Sequence, residues 1–247
     1  MMDKSLASSE NSGWSSLYKI GGVAAWIFVA YSLATIIIFM VLSQMPETAL
    51  EAFNALQENR IIGLLRLDAL TLLTVPLYYL IYLCIYQGIK KDNKAFASLG
   101  VLLAFAGITL FLATPSAFSL VSLSDKYAAA TTATQKEQIL TVGEALMASD
   151  MWHSSGAMIG GYLMLIAALI VSVVMLKSEN FSRATAIVGI VTYGLDLIHK
   201  LVSIFAPNIG IFFMMVAGPL YLVWFPLLAR DLFRLGRADT EIKLSKS

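Results

Sequence analysis

Long apolar runs alternate with short polar clusters along most of this chain. Runs long enough to span a bilayer come six times, at roughly 20–43, 61–89, 95–122, 153–176, 184–206 and 209–229. A membrane-crossing helix needs about 20 residues. The first run is too long for a signal-peptide core. No small-x-small cleavage site follows it in "VLSQMPE", so it reads as a retained span. The pattern predicts an all-α, polytopic integral membrane protein, with six transmembrane helices forming a single membrane domain over 1–247. Residues 1–17 and 237–247 read as polar tails.

Two of the intervening segments, 44–60 and 123–152, are longer and amphipathic. "TALE" at Thr48–Glu51 and "TQKE" at Thr134–Glu137 each fit a capping box, in which Thr accepts from helix amides and Glu reaches back. Leu50, Phe53, Leu56 and Gln57 follow the first. Ile139, Leu140, Val142, Leu146 and Met147 follow the second. Each predicts a short amphipathic helix on the bilayer surface or over the mouth of the bundle.

Composition agrees with the membrane reading. The chain is 58% hydrophobic and 13% charged, whereas soluble domains carry about 25% charged residues. A net charge of +1 leaves no electrostatic footprint for nucleic acid. The single cysteine, Cys84, excludes an intrachain disulfide. There is no phosphate-binding glycine loop, no GxSxG and no dinucleotide fingerprint. Lys90, Lys91, Lys94, Lys177, Arg183 and the tail bases Arg230, Arg234 and Arg237 fall on one side of the predicted spans. The two long amphipathic segments carry more acids than bases. The bias of Lys and Arg toward the cytoplasm therefore predicts a multi-pass protein of the cell membrane with both termini cytoplasmic.

Against this background, polar residues inside the spans need a reason. Arg66 and Asp68 lie in the second run, Thr114 and Ser116 in the third, His153 at the head of the fourth, and Tyr193, Asp196, His199 and Lys200 in the fifth. At 1.5 Å per residue, Asp68 and His199 each lie about 10 Å from the outer ends of their spans. The outer half of the bundle is thus the expected place for a polar site. On the fifth span Gly189, Thr192, Tyr193, Asp196, His199, Lys200 and Ser203 recur at spacings of three and four, forming one stripe. Asp68, Thr71, Val75, Tyr78, Tyr82 and Tyr86 form another on the second. Such stripes turn inward, because lipid tails cannot hydrogen-bond them.

Each ionised side chain near a span centre costs about 2.5–3.5 kcal/mol to insert. Arg66, Asp68, Asp196 and Lys200 sum to zero, so a mutually neutralising network is one expectation, with Asp196 and Lys200 paired one turn apart. The functional expectation is that the group lines a pocket. "GAMIG" at Gly156–Gly160 supplies a GxxxG for close helix packing, with His153 on the same face. Pro76, Pro115, Pro219 and Pro226 lie inside spans, where each removes a backbone hydrogen bond.

The second span "RLDALTLLTVPLYYLIYLCIYQGIK", the fifth-span "YGLDLIHKLVSIFAP" and the closing "GPLYLVWFPLLARDLFRLG" resemble a family of prokaryotic membrane proteins catalogued as domain of unknown function 4386. The resemblance runs from about Tyr18 to Gly236. It implies an integral membrane protein of six helices and no particular activity. Ceramidase-like intramembrane hydrolases share some of the chemical vocabulary here, namely His, Asp and Ser around zinc. His153, Asp196 and His199 are the residues that could ligate the metal. However, only two His exist in the chain, and Lys200 and Arg66 nearby would repel a cation. The leading expectation is therefore a membrane protein that binds or passes a small molecule, lipid headgroup or ion, without covalent chemistry and with no cofactor. A zinc-dependent intramembrane hydrolase and a purely structural or partner-binding membrane protein are the alternatives.

Overall fold

The computed structural model describes residues 2–42, 45–114 and 117–244. Among these the chain is helical throughout: α1 (Met2–Val41), α2 (Ala49–Glu58), α3 (Arg60–Arg66), α4 (Ala69–Thr74), α5 (Leu77–Ile89), α6 (Lys94–Leu112), α7 (Ala117–Ala129), α8 (Ala133–Met147), α9 (Ser155–Met175), α10 (Arg183–Ser203) and α11 (Pro207–Leu244). Pro115 and Ser116 lie outside the described residues.

Among the described residues, five stretches are long and apolar enough to cross a membrane: Trp14–Ile38, Lys94–Ala129, which is divided between α6 and α7, Ser155–Met175, Arg183–Ser203 and Pro207–Arg237. The sixth expected span, 61–89, is not one helix. It is divided into α3, α4 and α5, of which only α5 is a sizeable apolar helix. Pro76 accounts for one division. It has no amide for the ladder, and its ring crowds the preceding turn. The other division, at Asp68, has no proline or glycine to explain it. By contrast, Pro219 and Pro226 both sit within α11.

Residues divide into two compact units. The first comprises Met1–Ala30, Leu77–Ala106 and Tyr162–Ser247. Its polar stripe on α10 packs on α11: Thr185, Ala186, Gly189, Thr192 and Tyr193 are buried, as are Trp224, Phe225, Leu228 and Leu232. Aromatic rings fill the interior. Tyr193 meets Trp224 edge-on at 4.9 Å, and Phe28 stacks on Phe225 at 4.8 Å. Offset and edge-on ring contacts of this kind add to the burial of the rings themselves. Cys84 is buried against α1, its thiol donating to the Leu17 carbonyl at 3.2 Å. A Cβ at Gly21 would come within 2.6 Å of its sulfur.

The second unit comprises Tyr31–Pro76 and Gly107–Gly161. Here α2, α7 and α8 share a core of Ala49, Ala52, Phe53, Leu56, Ala117, Leu120 and Met147, joined by Leu67 and Ala69. The two expected amphipathic helices therefore bury their apolar faces on each other and on α7. Thr48 caps α2, accepting from the Glu51 amide at 3.2 Å, and the Glu144 carboxylate of α8 accepts from the Ala49 amide at 2.8 Å. The capping box of α8 is two residues earlier than expected. Thr132 and Gln135 form it reciprocally, not Thr134 and Glu137. Both pairs satisfy the same spacing rule, and the earlier one gains two residues of helix. Of the GxxxG pair, only Gly160 is in forced contact: a Cβ there would lie 2.7 Å from the Gly107 carbonyl oxygen, whereas at Gly156 the nearest atom is 3.4 Å away.

Candidate functional site

The division at Asp68 is the most unusual backbone feature among the described residues. Asp68 has φ 54 and ψ 39, and it is the sole non-glycine residue with positive φ among them. The left-handed conformation costs an L-residue about 1–2 kcal/mol, and Asp is one of the few side chains that visit it. Local bonds close the break. The Asp68 amide donates to the Leu65 carbonyl at 3.1 Å, and the Asp68 carbonyl accepts from the Thr71 amide at 3.1 Å. Asp68 is thus the left-handed residue that ends α3 and also the residue from which α4 starts.

Asp68 is buried, at 5% exposure. The Thr71 hydroxyl donates to Oδ2 at 2.6 Å, and the Tyr31 hydroxyl lies 2.5 Å from the Thr71 oxygen. A hydroxyl has one proton. Since Thr71 gives its own to Asp68, Tyr31 must be the donor to Thr71. The result is a directed chain, Tyr31 to Thr71 to Asp68, ending on a buried carboxylate.

In the first unit Asp196 finds a similar partner. The Tyr221 hydroxyl donates to its Oδ2 at 2.7 Å, and the Tyr193 and Tyr221 rings meet edge-on at 5.4 Å. Among the described residues no ion pair joins Asp196 to Lys200. In place of the expected Asp196–Lys200 pair, a tyrosine hydroxyl meets Asp196, and at Asp68 a threonine hydroxyl does so. The physical reason is geometric. Tyr221 reaches Asp196 from the facing helix, so this acid needs no flexible cation to bend toward it.

His199 turns elsewhere. Its Nδ1 lies 3.0 Å from the Gly210 carbonyl oxygen and 3.2 Å from the Ser203 hydroxyl. A carbonyl can only accept, so Nδ1 carries a proton and donates to Gly210. Asp196 and His199 share a helical face but address different partners on α11. Lys200 contributes its carbonyl, which accepts from the Tyr162 hydroxyl at 3.3 Å.

The remaining expected residues do not join either group. Arg66 ends α3, where a cation complements the carbonyl end of the helix. Thr114 donates to the Phe111 carbonyl at 2.6 Å. His153 is not on the face of α9 but in the turn before it, 61% exposed, with Nδ1 2.8 Å from Asp150. It lines an open cleft with Glu47, Glu144 and Met147. Ser116 lies outside the described residues. Among the described residues, no three His, Cys, Asp or Glu side chains are placed to hold a metal ion together.

Asp231 is a site residue that the spacing argument did not single out. It is fully buried, and its Oδ2 accepts from the Ser182 amide at 2.9 Å and the Thr185 hydroxyl at 2.5 Å. The signal was present. Asp231 falls three residues after Leu228 and four before Leu235, on the apolar face of its helix. Among flanking arginines it reads instead as part of a polar tail. Tyr221 and Tyr31 are also absent from the expected set, because a lone tyrosine in an apolar helix reads as packing.

Helices of this length and composition define a multi-pass, all-helical membrane protein. Residues 19–228 match the family model described as domain of unknown function (DUF4386), and the chain belongs to that family. No curated protein and no solved structure matches it.

Proposed function

We propose that this membrane protein binds or passes a small cation, a proton or a cationic group at a site built on the Asp68 break, without covalent chemistry. The observation that carries the reading is the coincidence of two costs at one residue. On the reading that 61–89 crosses the bilayer, a buried acid there costs about 2.5–3.5 kcal/mol, and a left-handed backbone costs about 1–2 kcal/mol more. A helix that merely crosses the bilayer requires neither. Interrupted membrane helices are where backbone carbonyls become free to coordinate ions. The side chains grouped at Asp68 offer oxygen: its own carboxylate, the Thr71 hydroxyl that donates to it and, behind that, the Tyr31 hydroxyl. Oxygen donors favour hard cations and protons over zinc. This donor chemistry also favours binding over the hydrolase alternative. The distribution of Lys and Arg supports a further element of the reading, that both termini face the cytoplasm.

The test is the thermal unfolding of the purified, detergent-solubilised chain in lithium, sodium, potassium and tetramethylammonium chlorides, and across a pH series. A ligand that binds only the folded state stabilises it by about 2.7 kcal/mol at a hundredfold excess over Kd. One of these cations, or protons, should raise Tm in the wild type and leave Asp68→Asn unmoved. Tyr31→Phe should show a reduced response. If wild type and Asp68→Asn respond alike in every condition, Asp68 has a structural role only.

A further inference from the structure

We propose that Arg230 and Arg234 form a clamp for the phosphate of an anionic phospholipid, held in position by the buried Asp231. The inference is independent of the Asp68 reading, since all its residues belong to the first unit.

Asp231 is not simply half of an ion pair. Its Oδ2 is occupied by the Ser182 amide and the Thr185 hydroxyl, which fixes the carboxylate. That leaves Oδ1 facing two guanidinium groups, Arg230 at 3.2 Å and Arg234 at 3.8 Å. Each arginine has a second tether. Arg230 Nη2 donates to the Ser182 hydroxyl at 2.8 Å, and Arg234 Nη2 donates to the Asn180 carbonyl at 2.8 Å. Both side chains are nevertheless more than half exposed, at 58% and 54%, over a carboxylate that is 0% exposed. Each guanidinium has five N–H donors in a planar fork, so donors remain on the outward side. One buried negative charge between two positive ones leaves a surplus of positive charge. The long side chains are already restrained, so ordering them around a ligand costs less than for free surface arginines.

The chemistry that fits this arrangement is a phosphate, which a planar fork grips in two-point fashion. The surroundings indicate its source. The clamp lies on the Pro207–Arg237 stretch, near the start of Arg183–Ser203, and both stretches are apolar enough to cross a membrane. Trp14 and Tyr86 face Lys90 at the same end, and the Ser15 hydroxyl donates to the Gly236 carbonyl at 2.7 Å. Lys19 packs against Gly236 there. Aromatic rings and bases at the end of a membrane helix mark the headgroup level. The surplus positive charge selects an anionic headgroup over one that carries its own cation.

The experiment measures Tm of the full chain in detergent micelles supplemented with phosphatidylglycerol, phosphatidylcholine or inorganic phosphate. Phosphatidylglycerol should raise Tm well above the phosphatidylcholine value. That difference should shrink as NaCl rises from about 0.1 to about 1 M, where screening shortens from roughly 10 to 3 Å. Replacing both residues, Arg230→Lys with Arg234→Lys, keeps the charge beside Asp231 but removes the fork. It should raise the half-saturating concentration of phosphatidylglycerol by about threefold or more. Lys91→Gln, a change of exposed charge outside the clamp, should leave it where it is. Equal shifts with the two lipids overturn the proposal in the wild type alone, whatever the variants do. An inorganic phosphate shift matching that of phosphatidylglycerol overturns the lipid source. Unchanged affinity in the double variant overturns the clamp.

Discussion

Asp68 concentrates what a single residue contributes to this molecule. Its backbone and its side chain can be separated by two substitutions that both remove the carboxylate. In an ordinary helix interior Gly is about 1 kcal/mol less stable than Ala. At a left-handed position the order reverses, because Ala meets the steric penalty of about 1–2 kcal/mol and Gly does not. Asp68→Gly should therefore unfold at a higher temperature than Asp68→Ala in a detergent melt, and the opposite order would mean that the helix runs straight through. The contrast with Asp196 shows what a sequence makes visible. Asp196 was legible because Tyr193, Asp196 and Lys200 recur at helical spacing, and that face does pack on α11. The break at Asp68 was not, because nothing nearby is Gly or Pro. It is coupled to a hydroxyl chain whose far end, Tyr31, is 40 positions from Thr71.

Among the helices, contacts between α6 and α9 have the sharpest requirement. A Cβ at Gly160 would meet backbone atoms, the Gly107 oxygen at 2.7 Å and the Phe111 nitrogen at 3.1 Å. Backbone cannot swing aside as a side chain does, so Gly160→Ala should cost about 1–3 kcal/mol through overpacking. Gly156→Ala meets only the Thr114 methyl at ordinary contact distance. It should be neutral or slightly stabilising, since Ala is the better helix former. Chemical denaturation of the two variants side by side checks the difference, and equal losses would count against the close approach. The small-xxx-small motif marked both glycines equally, because a motif records residue size and not which neighbour lies opposite. The same limit placed the α8 capping box two residues late: Thr132 and Thr134 both fit the pattern, and only the bonds made by Gln135 decide between them.

For the chain as a whole, apolar length was the most legible property, and it located the five stretches among the described residues that are long enough to cross a membrane. Charge was less so. Asp231 looked like part of a solvated tail because Arg230 and Arg234 flank it, yet the three form one bonded group. The proposed orientation depends on those same bases and gives a direct expectation. A fluorescent protein fused after Ser247 should fold and fluoresce inside the cell, while alkaline phosphatase placed there should be inactive. The phosphatase inserted in the exposed turn at 130–132 should be active. Activity at both positions, or at the C-terminus alone, would reverse the topology.

Cys84 gives the molecule a property that needs no engineering. Its sulfur is the chain's only thiol, is fully enclosed and is pressed against α1 where Gly21 leaves it room. A membrane-permeant maleimide can reach it only when the packing around it opens. The rate of native alkylation is therefore a clock for that opening, in the way that amide exchange times the opening of a backbone hydrogen bond. The unmodified protein carries this timer in the intact membrane, so the breathing of the packing around Cys84 can be followed there without introducing a probe.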